Sequence, residues 1–314
     1  MPMLKRVLQR LPQNVYYNLL TTHDMLQAMA WRLLAPAIAE DAFQAKYRML
    51  FVVGCGRSGT TIFSHCLGQH RNVAELNEPL HIWFGTSTET DIISPFAGLV
   101  GGRCRLDRHD VSDKIKTRYR AMIDYHVKGR ASIVCDKLPL NTFRVDYIAE
   151  LCPAAKFILL HRLPRAVARS IEQCMKRDGN WWGPNDCKWQ AISRYAEEHP
   201  DLCHIVPSAI DDYYRGLVEW RVGQKLALDD FAKLDPARCM HVHYEDFIAD
   251  PRRITKDCFE FAGAEPDETA ADFAADHVRP TKAETIDERR SPEDDRLHAI
   301  ILGDDLAEKT RAVA

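Results

Sequence analysis

Apolar residues along the chain come in two rhythms. Met49-Leu50-Phe51-Val52-Val53 is a short continuous apolar run that ends at Gly54. Ser132-Ile133-Val134-Cys135 and Lys156-Phe157-Ile158-Leu159-Leu160 are two more, and Cys239-Met240-His241-Val242-His243 is a fourth with less apolar content. Runs of this length, rich in β-branched residues, predict buried strands. Elsewhere the apolar spacing stretches to three and four residues, which predicts helices over 61–69, 140–151, 164–176 and 251–262. Strand and helix in alternation make a central parallel sheet covered by helices on both faces, an α/β fold. Ahead of it, Leu19, Leu20, Met25, Leu26, Met29, Leu33 and Leu34 recur at helical spacing, so residues 13–45 read as helix. The organisation expected is an N-terminal helical extension, 1–47, and one α/β domain, 48–314.

Three stretches break the rhythm. Residues 85–110 hold many Gly, Ser, Thr, Asp and Arg and read as a mobile loop or lid. Residues 177–212 set Trp181, Trp182, Gly183, Pro184 and Trp189 among polar residues and read as an insertion whose aromatic faces suit a binding surface. Residues 279–296 are charged, contain Pro280 and Pro292, and read as a surface loop.

With 314 residues, 46% of them hydrophobic, the chain is long enough for one large core. A net charge of −3 excludes a globally basic nucleic-acid binder, so any anion site has to be local. Ten cysteines are scattered without a CxxC pair, which argues against a zinc site and for reduced thiols in a cytoplasmic protein. The first twelve residues carry Lys5, Arg6 and Arg10 but not the pattern of a signal peptide, and no apolar run reaches the roughly 18 residues of a membrane span. The helix at 13–45 suits packing on the core or on a second subunit as a homodimer. Its Trp31 and Arg32 among leucines also suit peripheral contact with a lipid surface.

The chemistry concentrates after the first strand, in Gly54-Cys55-Gly56-Arg57-Ser58-Gly59-Thr60-Thr61. Glycines let backbone N–H groups approach an anion, and the helix N-terminus beyond Gly59 adds partial positive charge. Thr60 and Thr61 supply hydroxyls, and Arg57 supplies full charge in a planar fork. The spacing is that of a phosphate-binding loop, but the lysine that an ATP or GTP loop places beside its phosphates is missing. This leaves a degenerate kinase, or a non-catalytic nucleotide-binding protein, as alternatives.

Arg57-Ser58-Gly59-Thr60-Thr61 after a strand resembles the donor loop of sulfotransferases that use 3′-phosphoadenosine-5′-phosphosulfate (PAPS). His161-Arg162-Leu163-Pro164 with Ser170 further on resembles the second donor motif of that family, and Tyr244-Glu245-Asp246-Phe247 before Asp250-Pro251 resembles its late segment. The likeness runs from about 48 to 265 and implies a P-loop-like sheet. It also implies PAPS as co-substrate, no metal, and an acceptor hydroxyl on a sugar, glycolipid or small alcohol. It puts Arg57, Ser58, Gly59, Thr60 and Thr61 on the 5′ side of the donor, Arg162 and Ser170 on the 3′-phosphate, and Tyr244 near the adenine. Glu78, before Pro79, resembles the catalytic glutamate of the carbohydrate and tyrosylprotein enzymes, with Glu75 as its rival. Lys137 in Asp136-Lys137-Leu138-Pro139 falls where the phenol and steroid enzymes carry histidine, and is expected to stabilise charge. His81 and His161 lie near these motifs and read as structural.

Overall fold

A computed structural model describes residues 13–279 and 291–303. Five strands, β1 (Arg48–Val53), β2 (Val73–Asn77), β3 (Ile133–Lys137), β4 (Lys156–His161) and β5 (Cys239–His243), form one sheet in the order β2-β3-β1-β4-β5. Every pairing is parallel. β1 lies at the centre, and alternate side chains feed two cores, as the period of two requires. Phe51 and Val53 join one core with Phe157 and Leu159. Leu50 and Val52 join the other with Ile158 and Leu160. Phe51 stacks on Phe157 with ring centroids 5.4 Å apart, locking β1 to β4.

The helices are α1 (Gln13–Leu34), α2 (Glu40–Lys46), α3 (Thr60–Leu67), α4 (Leu80–Thr86), α5 (Asp113–Val127) and α6 (Val145–Leu151). They continue as α7 (Pro164–Asp178), α8 (Cys187–Glu197), α9 (Asp212–Phe231), α10 (Tyr244–Ala249), α11 (Pro251–Ala262), α12 (Glu268–His277) and α13 (Pro292–Leu302). α1 lies on α4 and α5, and α9 packs along α7.

Several boundaries differ from the sequence pattern. The apolar rhythm of 13–45 is interrupted at 35–39, around Pro36, into α1 and α2. The helix expected over 140–151 opens as a tight turn, Pro139–Phe143, and becomes α6 only at Val145. β2 was not legible, because this edge strand buries only Val73 and Leu76. The long α9 escaped too, since it buries Glu219, Arg221, Gln224 and Asp230 along with its apolar residues. Within 279–296, residues 280–290 lie outside the described part. Pro292 starts a helix there instead of a loop, at the first-turn position where proline costs nothing, under a Ser291–Asp294 capping box. Residues 88–110 are irregular between 3-10 turns at Thr88–Thr90 and Arg108–Asp110, yet they are anchored by buried Asp91, Ile92, Ser94, Cys104 and Leu106. The 177–212 stretch contains α8.

Phe51→Ala removes a ring with no exposed surface from the centre of the sheet. Denaturant unfolding should show a loss of about 3–5 kcal/mol.

Candidate active site

All five strands end on one edge of the sheet, and the residues singled out in the sequence follow those ends. Gly54 follows β1, Glu78 follows β2, Lys137 closes β3, Arg162 follows β4 and Tyr244 follows β5. β1 has β3 on one side and β4 on the other, so the chain changes direction here, and in open parallel sheets ligands bind at such a point.

The loop after β1 is shaped by backbone constraints. A Cβ on Gly54 would lie 2.7 Å from the Leu160 carbonyl oxygen, so only glycine fits there. The Gly54 N–H donates to Thr142 Oγ1 at 2.7 Å, and the Ser58 N–H donates to the Cys55 carbonyl at 3.0 Å. Gly59, with φ 88°, leads into α3, and no side chain caps that helix. The first-turn N–H groups therefore face the loop, a ready anion site. Ser58 Oγ is buried and has no hydrogen-bond partner among the described residues, a donor that an anion would satisfy. The loop fits a phosphate or sulfate group on these grounds.

The arginines close one side. Arg57 has φ 71°, a conformation that costs a non-glycine residue about 1–3 kcal/mol. Its Nε donates to Ser170 Oγ at 3.0 Å, and its carbonyl accepts from Arg162 at 2.8 Å. The sequence reading set Arg57 apart from Arg162 and Ser170, but the structure joins the three. The Arg162 guanidinium lies 4.4 Å from the Tyr244 ring centroid. That ring lies so close to Gly59 that a Cβ there would come within 2.2 Å of it.

Lys137 closes the other side. It has no exposed surface, and its Nζ donates to Thr61 Oγ1 at 2.9 Å and to Glu78 Oε1 at 2.8 Å. Glu78 is about half exposed, has φ 52°, and donates its N–H to the Lys137 carbonyl at 2.7 Å. A half-exposed carboxylate is thus held beside the glycine loop by a buried ammonium and a second strained backbone. Glu75 is placed differently: it accepts from Ser64 Oγ at 2.6 Å and pairs with His65, both on α3. Below Lys137, burial pushes the Asp136 carboxyl up to about 7. Asp136 accepts from Trp83 Nε1 at 3.1 Å and from Asn141 Nδ2 at 3.3 Å, tying α4 to the turn after β3.

Lys188 and Glu219 carry no local signal in the chain. They form a buried ion pair at 2.7 Å, with Lys188 Nζ 4.0 Å from the Trp181 ring centroid and Trp181 Nε1 donating to Glu219 at 2.8 Å. Trp181 in turn covers Gly56, where a Cβ would come within 2.5 Å of the ring. Glu219 lies on the helix that the apolar pattern missed, so the pair could not be anticipated. His81 packs against Trp31 and His126, and burial lowers its imidazole to about 4. His161 stacks on His241 and His243 beneath Arg162 and bonds Gln224. Among the described residues, no group of three or more His, Cys, Asp or Glu is arranged to hold a metal ion.

The sequence profile described as the sulfotransferase family matches residues 50–268, more than half of the chain. Protein-tyrosine sulfotransferase A of Caenorhabditis elegans is 22% identical over 253 residues, covering 76% of this chain and 57% of that protein. Nodulation protein NoeE of Sinorhizobium fredii (strain NBRC 101917 / NGR234) is 33% identical over 136 residues, 39% of this chain and 30% of that protein. The matches therefore span little more than half of these relatives' own length at most. The solved sulfotransferase STF9 from Mycobacterium avium shares the fold at a TM-score of 0.52 and 16% identity, over 92% of this chain and 80% of that one. The chain belongs to the sulfotransferase family.

The histidine stack generates a pH dependence. Burial first, then neighbouring His241 and His243, lower the His161 imidazole to about 3 from an ordinary 6.5. The folded state thus binds this proton less readily than the unfolded chain. The stability it contributes is complete above pH 6.5 and is lost as pH falls towards 3. Urea unfolding should become easier by about 1.4 kcal/mol per pH unit for this one proton below its unfolded value. His161→Gln should flatten the dependence by about that slope.

Proposed function

We propose that this member of the sulfotransferase family transfers a sulfuryl group from PAPS to an acceptor hydroxyl, with Glu78 as general base. The observation that carries the reading is the Lys137 ammonium, which bonds both Thr61 of the glycine loop and the Glu78 carboxylate. It ties the glycine loop to a half-exposed carboxylate, and an anion site beside a carboxylate is what in-line group transfer needs.

PAPS, when bound, supplies an activated sulfuryl group. In this reading the loop N–H groups, Ser58, Thr60 and Thr61 hold its 5′ side. Arg162 and Ser170, joined by Arg57, hold the 3′-phosphate, and Tyr244 borders the adenine. Glu78 takes the acceptor proton as the new O–S bond forms, and Lys137 offsets the negative charge left on the departing phosphate oxygen. A kinase reading lacks support, because no lysine lies within the glycine loop.

The acceptor we favour is a sugar, glycolipid or small alcohol, and the name of the nematode relative adds a peptide tyrosine. The segments 85–110 and 177–212 meet in a groove lined by Ile92, Gly102, Arg103, Cys187, Gln190 and Arg194, which we assign to the acceptor side. A cytoplasmic location is part of this proposal and rests on the cysteine usage of the sequence.

Two measurements test it. With labelled PAPS, Glu78→Gln should lower turnover by about 10²–10⁴, the usual worth of a general base, with donor affinity nearly unchanged. Retention of more than about a tenth of wild-type turnover would remove Glu78 from the role. By calorimetry, the wild type should prefer 3′,5′-adenosine bisphosphate to the 5′-monophosphate. Arg162→Ala should erase most of that preference, about 1.5–3 kcal/mol. Equal binding of both nucleotides by the wild type would count against the donor assignment.

A further inference from the structure

α1 buries one side and leaves an apolar stripe on another. Met25 and Ala28 are buried against Phe84, and Trp31 packs on His81 of α4. Val15, Leu19, Leu26, Met29 and Leu33 remain 40–87% exposed. At 100° per residue these five fall within an arc of about 80°, a line along the helix broken only by Thr22 between Leu19 and Leu26. Leu99, 84% exposed, extends the patch from the neighbouring loop, where Phe96 and Val100 pack against the same cluster as Met25. A row of leucines exposed this far is unlike the scattered apolar residues of an ordinary surface.

The charges beside the stripe indicate what covers it. Arg32 of α1 and Arg118 of α5 are neighbours, and burial together with Arg32 holds the Arg118 guanidinium below its ordinary value. Neither arginine is in an ion pair with a carboxylate among the described residues. The sequence up to Leu34 adds Lys5, Arg6 and Arg10 against a single acid, Asp24. A second copy docked face to face would set Arg32 and Arg118 against the same two arginines of the other copy. An anionic lipid surface would attract them while taking up the leucines, the pattern of an interfacial helix.

We propose that α1, with Leu99 and the Arg32–Arg118 pair, is a docking face for an anionic lipid bilayer. α1 rests on α4, which begins two residues after Glu78, so the docked helix borders the element that leads from the candidate base. The proposal does not depend on the acceptor or on the role given to Glu78.

Vesicle co-sedimentation of the full chain tests it without measuring turnover. The wild type should sediment with phosphatidylserine-containing vesicles and much less with phosphatidylcholine alone. Leu26→Asp combined with Leu33→Asp alters only exposed positions and should keep the wild-type unfolding midpoint while weakening binding by at least about tenfold. Arg32→Glu with Arg118→Glu should remove the difference between the two vesicle types. The proposal is overturned if the wild type stays in solution with both vesicles, or if the Leu26/Leu33 variant binds as the wild type does. It is likewise overturned if the wild type ignores vesicles but forms a dimer that the same variant splits.

Discussion

Lys137 ends a central strand with its ammonium out of reach of water, and a buried cation is tolerated only where partners surround it. Those partners dictate much of the site. Thr61 has to stand at the start of α3, so the glycine loop must turn tightly enough to deliver it. Glu78 has to reach back over the end of β3, and it does so in a backbone conformation that non-glycine residues avoid. Its N–H bonds the Lys137 carbonyl, so the main chain and the side chain of one lysine both hold the same glutamate. Strain at Arg57 and Glu78 is thus offset by charge-assisted bonds on the two sides of one loop.

The same logic explains where the positive charge comes from. Nucleotide-triphosphate loops carry a lysine within the loop. Here the strong cations arrive from separate elements: Lys137 from β3, Arg162 from the end of β4, and Arg57 from the loop but turned towards α7. Such a site depends on strand register, because a slip of one residue would turn Lys137 to the other face of the sheet. The Phe51–Phe157 stack and the parallel pairing of β1 with both β3 and β4 hold that register.

What the sequence made legible follows from which signals are local. The glycine loop, the apolar runs of β1, β3 and β4, and Pro164 at the start of α7 are contiguous patterns, and the structure has them close to where the pattern placed them. β2 was hidden because an edge strand with two buried residues has no run to detect, although Glu78 at its end was visible beside Pro79. α9 was hidden for the opposite reason. It is so enclosed that polar residues lie inside with partners, and the apolar stripe that marks a surface helix is lost. The joining of Arg57 to Ser170 spans 113 positions and follows from packing alone.

The Lys188–Glu219 pair shows the same limit acting on energetics. Replacing a buried ion pair by apolar residues often costs nothing, so the pair is weak evidence for stability by itself. Its consequence lies in Trp181, which it grips from two sides, by the ammonium at the ring face and by the carboxylate at the indole N–H. Trp181 fills the space above Gly56 so closely that the loop cannot carry a side chain there. The glycine of the loop and the ion pair between α8 and α9 are therefore one steric unit. A change at Glu219, far along the chain, reaches the backbone of the glycine loop through the position of a single indole ring.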